Sequence, residues 1–200
     1  WKSGLLRIYC LSKPLSRNRA QTYSLYHYMI GCMTPTIVME TSKGNIEIEL
    51  DKEKAPITVA NFEKYVKEDF FDGLCFHRVI KGFMIQGGGF TPDGTSQDTG
   101  APIKIESRNG LKNKKGTIAM ARTSDPNSAT SQFFINTVEN GNLDYPSFDG
   151  HGYTVFGKVV SGMDAVKAIE SVATGTKLTP HGPMQDWPKE PVEIKKAYIK

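Results

Sequence analysis

Between Thr36 and Leu50 the chain changes sides at every residue. Ile46, Ile48 and Leu50 alternate with Glu47 and Glu49, and the apolar stretch Ile37–Thr41 precedes them across Ser42-Lys43-Gly44-Asn45. A period of two with one apolar face describes a strand whose two sides see core and water, as in antiparallel sheets. The turn residues between the two runs make the pair a β-hairpin. Further short strand candidates follow at Thr117–Ala121, Gln132–Asn136, Tyr153–Val160 and Val192–Ile199, separated by clusters of Gly, Pro, Asn and Asp. Only two stretches carry a helical period. One starts near Pro56 and places Val59, Phe62 and Val66 on one side; Pro is well suited to a first turn. The other follows Ser161, with Met163, Val166 and Ile169 as its apolar stripe and Asp164 as the far half of a short-armed capping box. Many short strands with two helices predict a mainly β domain built as a closed antiparallel barrel, not a βαβ sheet. No internal repeat is present.

Charge divides unevenly along the chain. The 200 residues carry a net charge of +4, but residues 1–33 hold Lys2, Arg7, Lys13, Arg17 and Arg19 and no acid, which leaves −1 for residues 34–200. A near-neutral domain without aromatic–basic interleaving gives no footprint for a nucleic acid. Residues 1–33 are therefore treated as a basic extension, expected to be disordered. Their Arg- and Ser-rich composition fits an organelle transit peptide. Equally, Met33 before Thr34–Pro35 fits a start site, which would imply a cytoplasmic protein. The domain is assigned to residues 34–200. Cys10, Cys32 and Cys75 are widely spaced with no CxxC, which fits neither a disulfide framework nor a zinc site. No apolar run approaches the roughly 18–20 residues needed to span a bilayer, so no membrane partner is expected.

The run Phe76–Phe90, FHRVIKGFMIQGGGF, holds the most informative chemistry. Gly87-Gly88-Gly89 lacks the following Lys-Ser/Thr of a phosphate loop and reads instead as backbone needing positive φ or close approach. His77 reads as a structural, hydrogen-bonded residue; His27, His151 and His181 have no metal-ligand spacing, and no nucleophile elbow or paired carboxylate stands nearby. Neither metal nor cofactor is expected. Arg78 is harder to explain structurally, because a cation among Phe76, Val79, Ile80, Phe83 and Met84 is costly without a partner. One reaction suits such a group. Rotation about an X–Pro bond makes and breaks no bond, and its barrier of roughly 18–20 kcal/mol reflects lost amide resonance. The twisted amide leaves a lone pair on the proline nitrogen. A guanidinium aimed there stabilises the twisted state more than the planar one.

Phe76–Gly88, together with AMARTSDPNSATSQFFIN at Ala119–Asn136 and YTVFGKVVSGMDAV at Tyr153–Val166, resembles the cyclophilin family of peptidyl-prolyl cis-trans isomerases. The likeness spans about Thr34–Lys200. It implies an eight-stranded closed antiparallel β-barrel capped by two α-helices, with the active groove on the outer face. By this resemblance Arg78 takes the place of the catalytic arginine, and Phe83, Met84, Phe134 and Leu143 match the proline pocket. Gln86 matches the glutamine that positions the arginine. Ala121, Arg122 and Thr123 match the strip that binds the residue before proline through backbone contacts, with Gln132 beside it. Two rim positions depart from the eukaryotic cytosolic pattern: Asn142 replaces a Trp before Leu143-Asp144, and Tyr153 replaces a His. About six extra residues from Tyr145 onward let Phe148 fold back over the site. These features look like the bacterial-type branch and imply weak cyclosporin binding. The implied partners are proline-containing peptides and unfolded or folding proteins, and with no added module the domain is expected to be a monomer. A proline-binding module or chaperone without catalysis is the rival reading; retention of Arg78, Phe83, Gln86 and Phe134 favours the enzyme.

Overall fold

The computed structural model describes residues 34–200, so the expectations for residues 1–33 lie outside the described residues. The predicted hairpin forms β1 (Thr36–Thr41) and β2 (Gly44–Leu50), and the first helix forms α1 (Pro56–Lys67). Then come β3 (Phe76–Ile80), β4 (Met84–Gly87), β5 (Thr117–Met120), β6 (Phe133–Asn136) and a 3-10 turn at Gly141–Leu143. The chain ends with β7 (Val155–Ser161), α2 (Met163–Glu170), β8 (Thr174–Thr179), β9 (Gly182–Pro188) and β10 (Ile194–Ile199).

Eight strands form one strongly curled antiparallel sheet in the order β10-β1-β2-β7-β5-β6-β4-β3. Closure is less complete than a closed barrel requires. The edges β3 and β10 share no ladder; their leading residues meet at one bridge, Cys75 to Glu193. Phe76 N also donates to Val192 O at 2.9 Å, and Ile194 N to Leu74 O at 2.7 Å. Inside the curl, Phe62 of α1 lies 5.1 Å from the rings of Phe71 and Phe156 and meets Phe133 edge-on at 5.5 Å. Ile37, Met39, Ile46, Ile48 and Leu50 from the hairpin complete this wall and are fully buried. The free amides of α1 are satisfied from afar: the Glu106 carboxylate accepts from Ile57 N at 3.1 Å and Thr58 N at 2.8 Å.

The capping box expected for α2 does not form. Ser161 ends β7 opposite Glu47, and Gly162 with φ +88° turns the chain into the helix with no side-chain cap. A Cβ at residue 162 would collide with the Asn45 carbonyl oxygen, so the corner is closed to any side chain. The β8–β9 hairpin, separate from the main sheet, had no counterpart in the sequence reading. Its strands TGTKLT and GPMQDWP lack apolar alternation and carry two prolines.

Candidate active site

Arg78 reaches the outer face of the sheet because β3 is irregular. Phe76 pairs with Gly87 and Arg78 with Gln86, so two steps on β3 match one on β4 and His77 is the extra residue of a bulge. In a regular strand Arg78 would share the face of Phe76 and point into the core. The bulge resets the alternation: Phe76 and Val79 are core residues, whereas Arg78 is exposed. From there the register runs across three further strands, Arg78 opposite Gln86, Gln86 opposite Phe134, Phe134 opposite Ala119. Four residues, one from each of four strands, thus share one row across the sheet.

Beside this row lies an apolar cluster separate from the main core. Met84, Phe134 and Leu143 are its buried members among the predicted site residues, and Phe83, Ala121 and Tyr153 are half-buried against it. The Tyr153 ring stands edge-on to Phe134 at 5.7 Å. A buried amide network beneath holds the walls in place. Asn140 Nδ2 donates to Phe83 O at 2.9 Å and to Asn136 Oδ1 at 2.7 Å, and Asn136 Nδ2 donates to Asn113 Oδ1 at 3.2 Å. Asn113 N and Nδ2 donate to Asp144 Oδ1 at 2.7 and 3.0 Å, next to Leu143. Sequence reasoning missed all three asparagines: Asn113 and Asn140 read as turn residues between strands, and Asn136 as the end of a strand.

The rim is clamped by Arg122. Its side chain is 2% exposed and pairs with Asp149; Nε and Nη2 donate to Gly152 O at 3.1 and 2.8 Å. Its guanidinium also lies 4.5 Å from the centroid of the Tyr153 ring. Arg122 and the hydrogen bonds from His151 N and Gly152 N hold the Asp149 carboxyl well below the usual carboxylate range. The extra residues after Tyr145 are pinned at their base, where Tyr153 N donates to Leu143 O at 3.0 Å and Ser147 Oγ to Asn142 O at 2.8 Å. Phe148 does not fold back over the site; it is 78% exposed. Thr123 is exposed in a turn where its amide and hydroxyl both meet Ser128 Oγ, at 2.9 and 2.8 Å.

Gln86 and Arg78 are cross-strand neighbours, but their side chains take other partners. Gln86 Nε2 donates to Gln132 Oε1 at 3.0 Å, and Ala121 N donates to Gln132 O at 3.0 Å. Arg78 Nε instead lies 3.8 Å from Asp186 Oδ2 of β9. His77 is buried against Phe90 and Trp187, with ring centroids at 4.8 and 5.9 Å. Its Nδ1 has no hydrogen-bond partner among the described residues, while contacts with the Cys75 backbone and the Gln132 side chain offset part of the effect of burial. Burial, followed by the adjacent Arg78 charge, pushes its pKa down to about 4 and keeps it neutral. Gly88 has φ +83°, and a Cβ there would lie 2.9 Å from the Phe133 ring and the Ser131 carbonyl, as the structural reading of the triplet expected.

Residues 36–199 match the model of the family described as cyclophilin type peptidyl-prolyl cis-trans isomerase/CLD. The chain belongs to this cyclophilin family. Its activity is accordingly the cis-trans isomerisation of prolyl peptide bonds. Among bacterial relatives, a peptidyl-prolyl cis-trans isomerase of Acinetobacter baylyi is 54% identical over 164 residues, covering 82% of this chain and 85% of that protein. Peptidyl-prolyl cis-trans isomerase B of Escherichia coli is 50% identical over 165 residues, covering 82% and 98%. A crystal structure of a Cryptosporidium parvum cyclophilin shares the fold, with a TM-score of 0.69, 24% identity and coverage of 84% and 98%. A second structure of that protein, obtained in the presence of the dipeptide Ala-Pro, has a TM-score of 0.67.

Proposed function

We propose that the outer-face groove is where this cyclophilin isomerises its substrates, with Arg78 as the catalytic group. The observation that carries the reading is the row Arg78–Gln86–Phe134, which puts a cation and an aromatic wall on one face. Met84, Phe134 and Leu143, with Phe83 and Tyr153 at the edge, hold the proline ring of peptides and folding proteins and exclude water. Ala121, Arg122 and Thr123 offer their backbone to the residue before proline, and the Gln86–Gln132 pair lines the floor between. Arg78 then donates to the proline nitrogen as it turns pyramidal. One charge-assisted hydrogen bond is worth about 1.5–3 kcal/mol, hence roughly one to two decades in rate. Desolvation and positioning supply the remainder.

The test is Arg78→Ala in a protease-coupled isomerisation assay on a Xaa-Pro peptide. The variant should lose at least about tenfold in kcat/KM while the peptide still binds. Wild-type turnover in the variant would overturn the assignment. The site acts in a monomer and binds cyclosporin weakly, because Asn142 offers no indole donor at the rim; nanomolar inhibition by cyclosporin would refute that.

A further inference from the structure

Arg78 is approached from outside the main sheet. The β8–β9 hairpin lies against β3, with Trp187 packed on His77 and Phe90 at ring distances of 5.9 Å each. A regular strand would send the neighbouring Asp186 to the opposite side. Yet Asp186 Oδ2 is 3.8 Å from Arg78 Nε, so both residues face β3. The register explains this. Gly175 pairs with Trp187 and Lys177 with Met184, so Gln185 and Asp186 together oppose the single residue Thr176. That is a β-bulge, a device that re-aims a side chain and is frequent beside active sites. Asp186 also has φ +60°, in the left-handed region that non-glycine residues seldom adopt. The bulge in β9 thus faces the bulge in β3 that turned Arg78 outward.

Stability does not account for this arrangement. The Arg78 and Asp186 side chains are 45% and 39% exposed, and an ion pair so wetted adds little to a fold. A backbone outlier held by its surroundings points instead to function. We propose that Asp186 is a positioning residue for Arg78. Its carboxylate faces the Nε edge of the guanidinium and limits the rotamers of a long side chain. The terminal nitrogens, outside that contact, remain to meet the proline nitrogen. Asp186 touches no substrate and acts only through the arginine. The proposal rests on the assignment of Arg78 as the catalytic group.

The experiment is a double-mutant cycle of Asp186→Asn and Arg78→Ala, with kcat and KM measured separately on a Xaa-Pro peptide. Asn keeps the size of Asp and its tolerance of positive φ. Asp186→Asn should lower kcat roughly three- to tenfold, a fraction of what a pre-ordered guanidinium contributes, with KM and melting temperature unchanged. In the Arg78→Ala background it should have no further effect. Asp186→Glu, which keeps the charge, should recover part of the loss. Wild-type kcat in Asp186→Asn, with Arg78→Ala inactive, would overturn the positioning role and leave the catalytic assignment standing. The same loss in both backgrounds would overturn it too, because Asp186 would then act independently of Arg78. Full activity in Arg78→Ala would remove the catalytic assignment and the positioning role together.

Discussion

Acid should weaken this fold through His77 before it titrates the carboxylates. The imidazole is buried between Phe90 and Trp187 beside the Arg78 charge, and its pKa is pushed down to about 4, against 6.5 for an unburied histidine. The unfolded chain therefore binds a proton that the folded chain refuses, and only between those two values. Stability should rise with pH across that window and fall as pH drops from 6.5 towards 4. At about 1.4 kcal/mol per pH unit, the full gap corresponds to about 3 kcal/mol, a large share of the stability of an ordinary domain. The depressed carboxyls of Asp149 and Asp93 lose their contributions only as pH falls below their ordinary values near 3.8, outside the window. Urea unfolding of the wild type and of His77→Leu at half-unit intervals from pH 7.5 to 4 separates the effects. Leucine can keep the apolar packing on Phe90 and Trp187, so the variant should fold and show a flatter profile between pH 6.5 and 4. Parallel profiles for the two proteins, or an NMR titration of His77 centred near 6.5, would refute the reasoning.

Two other perturbations test the frame around the site. Asp149→Ala leaves the buried Arg122 cation without its carboxylate; it should cost about 2–4 kcal/mol in urea unfolding and raise the peptide KM as Tyr153 loosens. Gly162→Ala drives a methyl group into the Asn45 carbonyl at positive φ, and should cost at least about 2 kcal/mol, read as a lower melting temperature with little change in KM.

Local signals were the legible ones. The alternation of Ile46, Ile48 and Leu50 placed the hairpin, and the spacing of Val59, Phe62 and Val66 placed α1. The Ser161–Asp164 signal misled, because the β7–α2 corner is set by the Asn45 backbone, more than a hundred residues away. Among the candidate site residues, Arg78, Met84 and Phe134 stood out within the family blocks, and Leu143 entered only through the resemblance. The amides of Asn113, Asn136 and Asn140 were not legible, since apart from the local Asn136–Asn140 contact they bind partners 19 to 57 residues away.

Arg78 shows where the division falls. Its sequence neighbourhood already posed the question, since a cation among aromatic and aliphatic residues needs a partner. That the chain would catalyse prolyl rotation followed from residue types and block order, which survive without coordinates. Which way the arginine points was decided by the His77 bulge, and what faces it by a second bulge in a hairpin with no apolar period. A bulge is a mismatch between two strands, a property of the pair. No reading of either strand alone contains it, and so Asp186 became visible only when β9 was laid against β3.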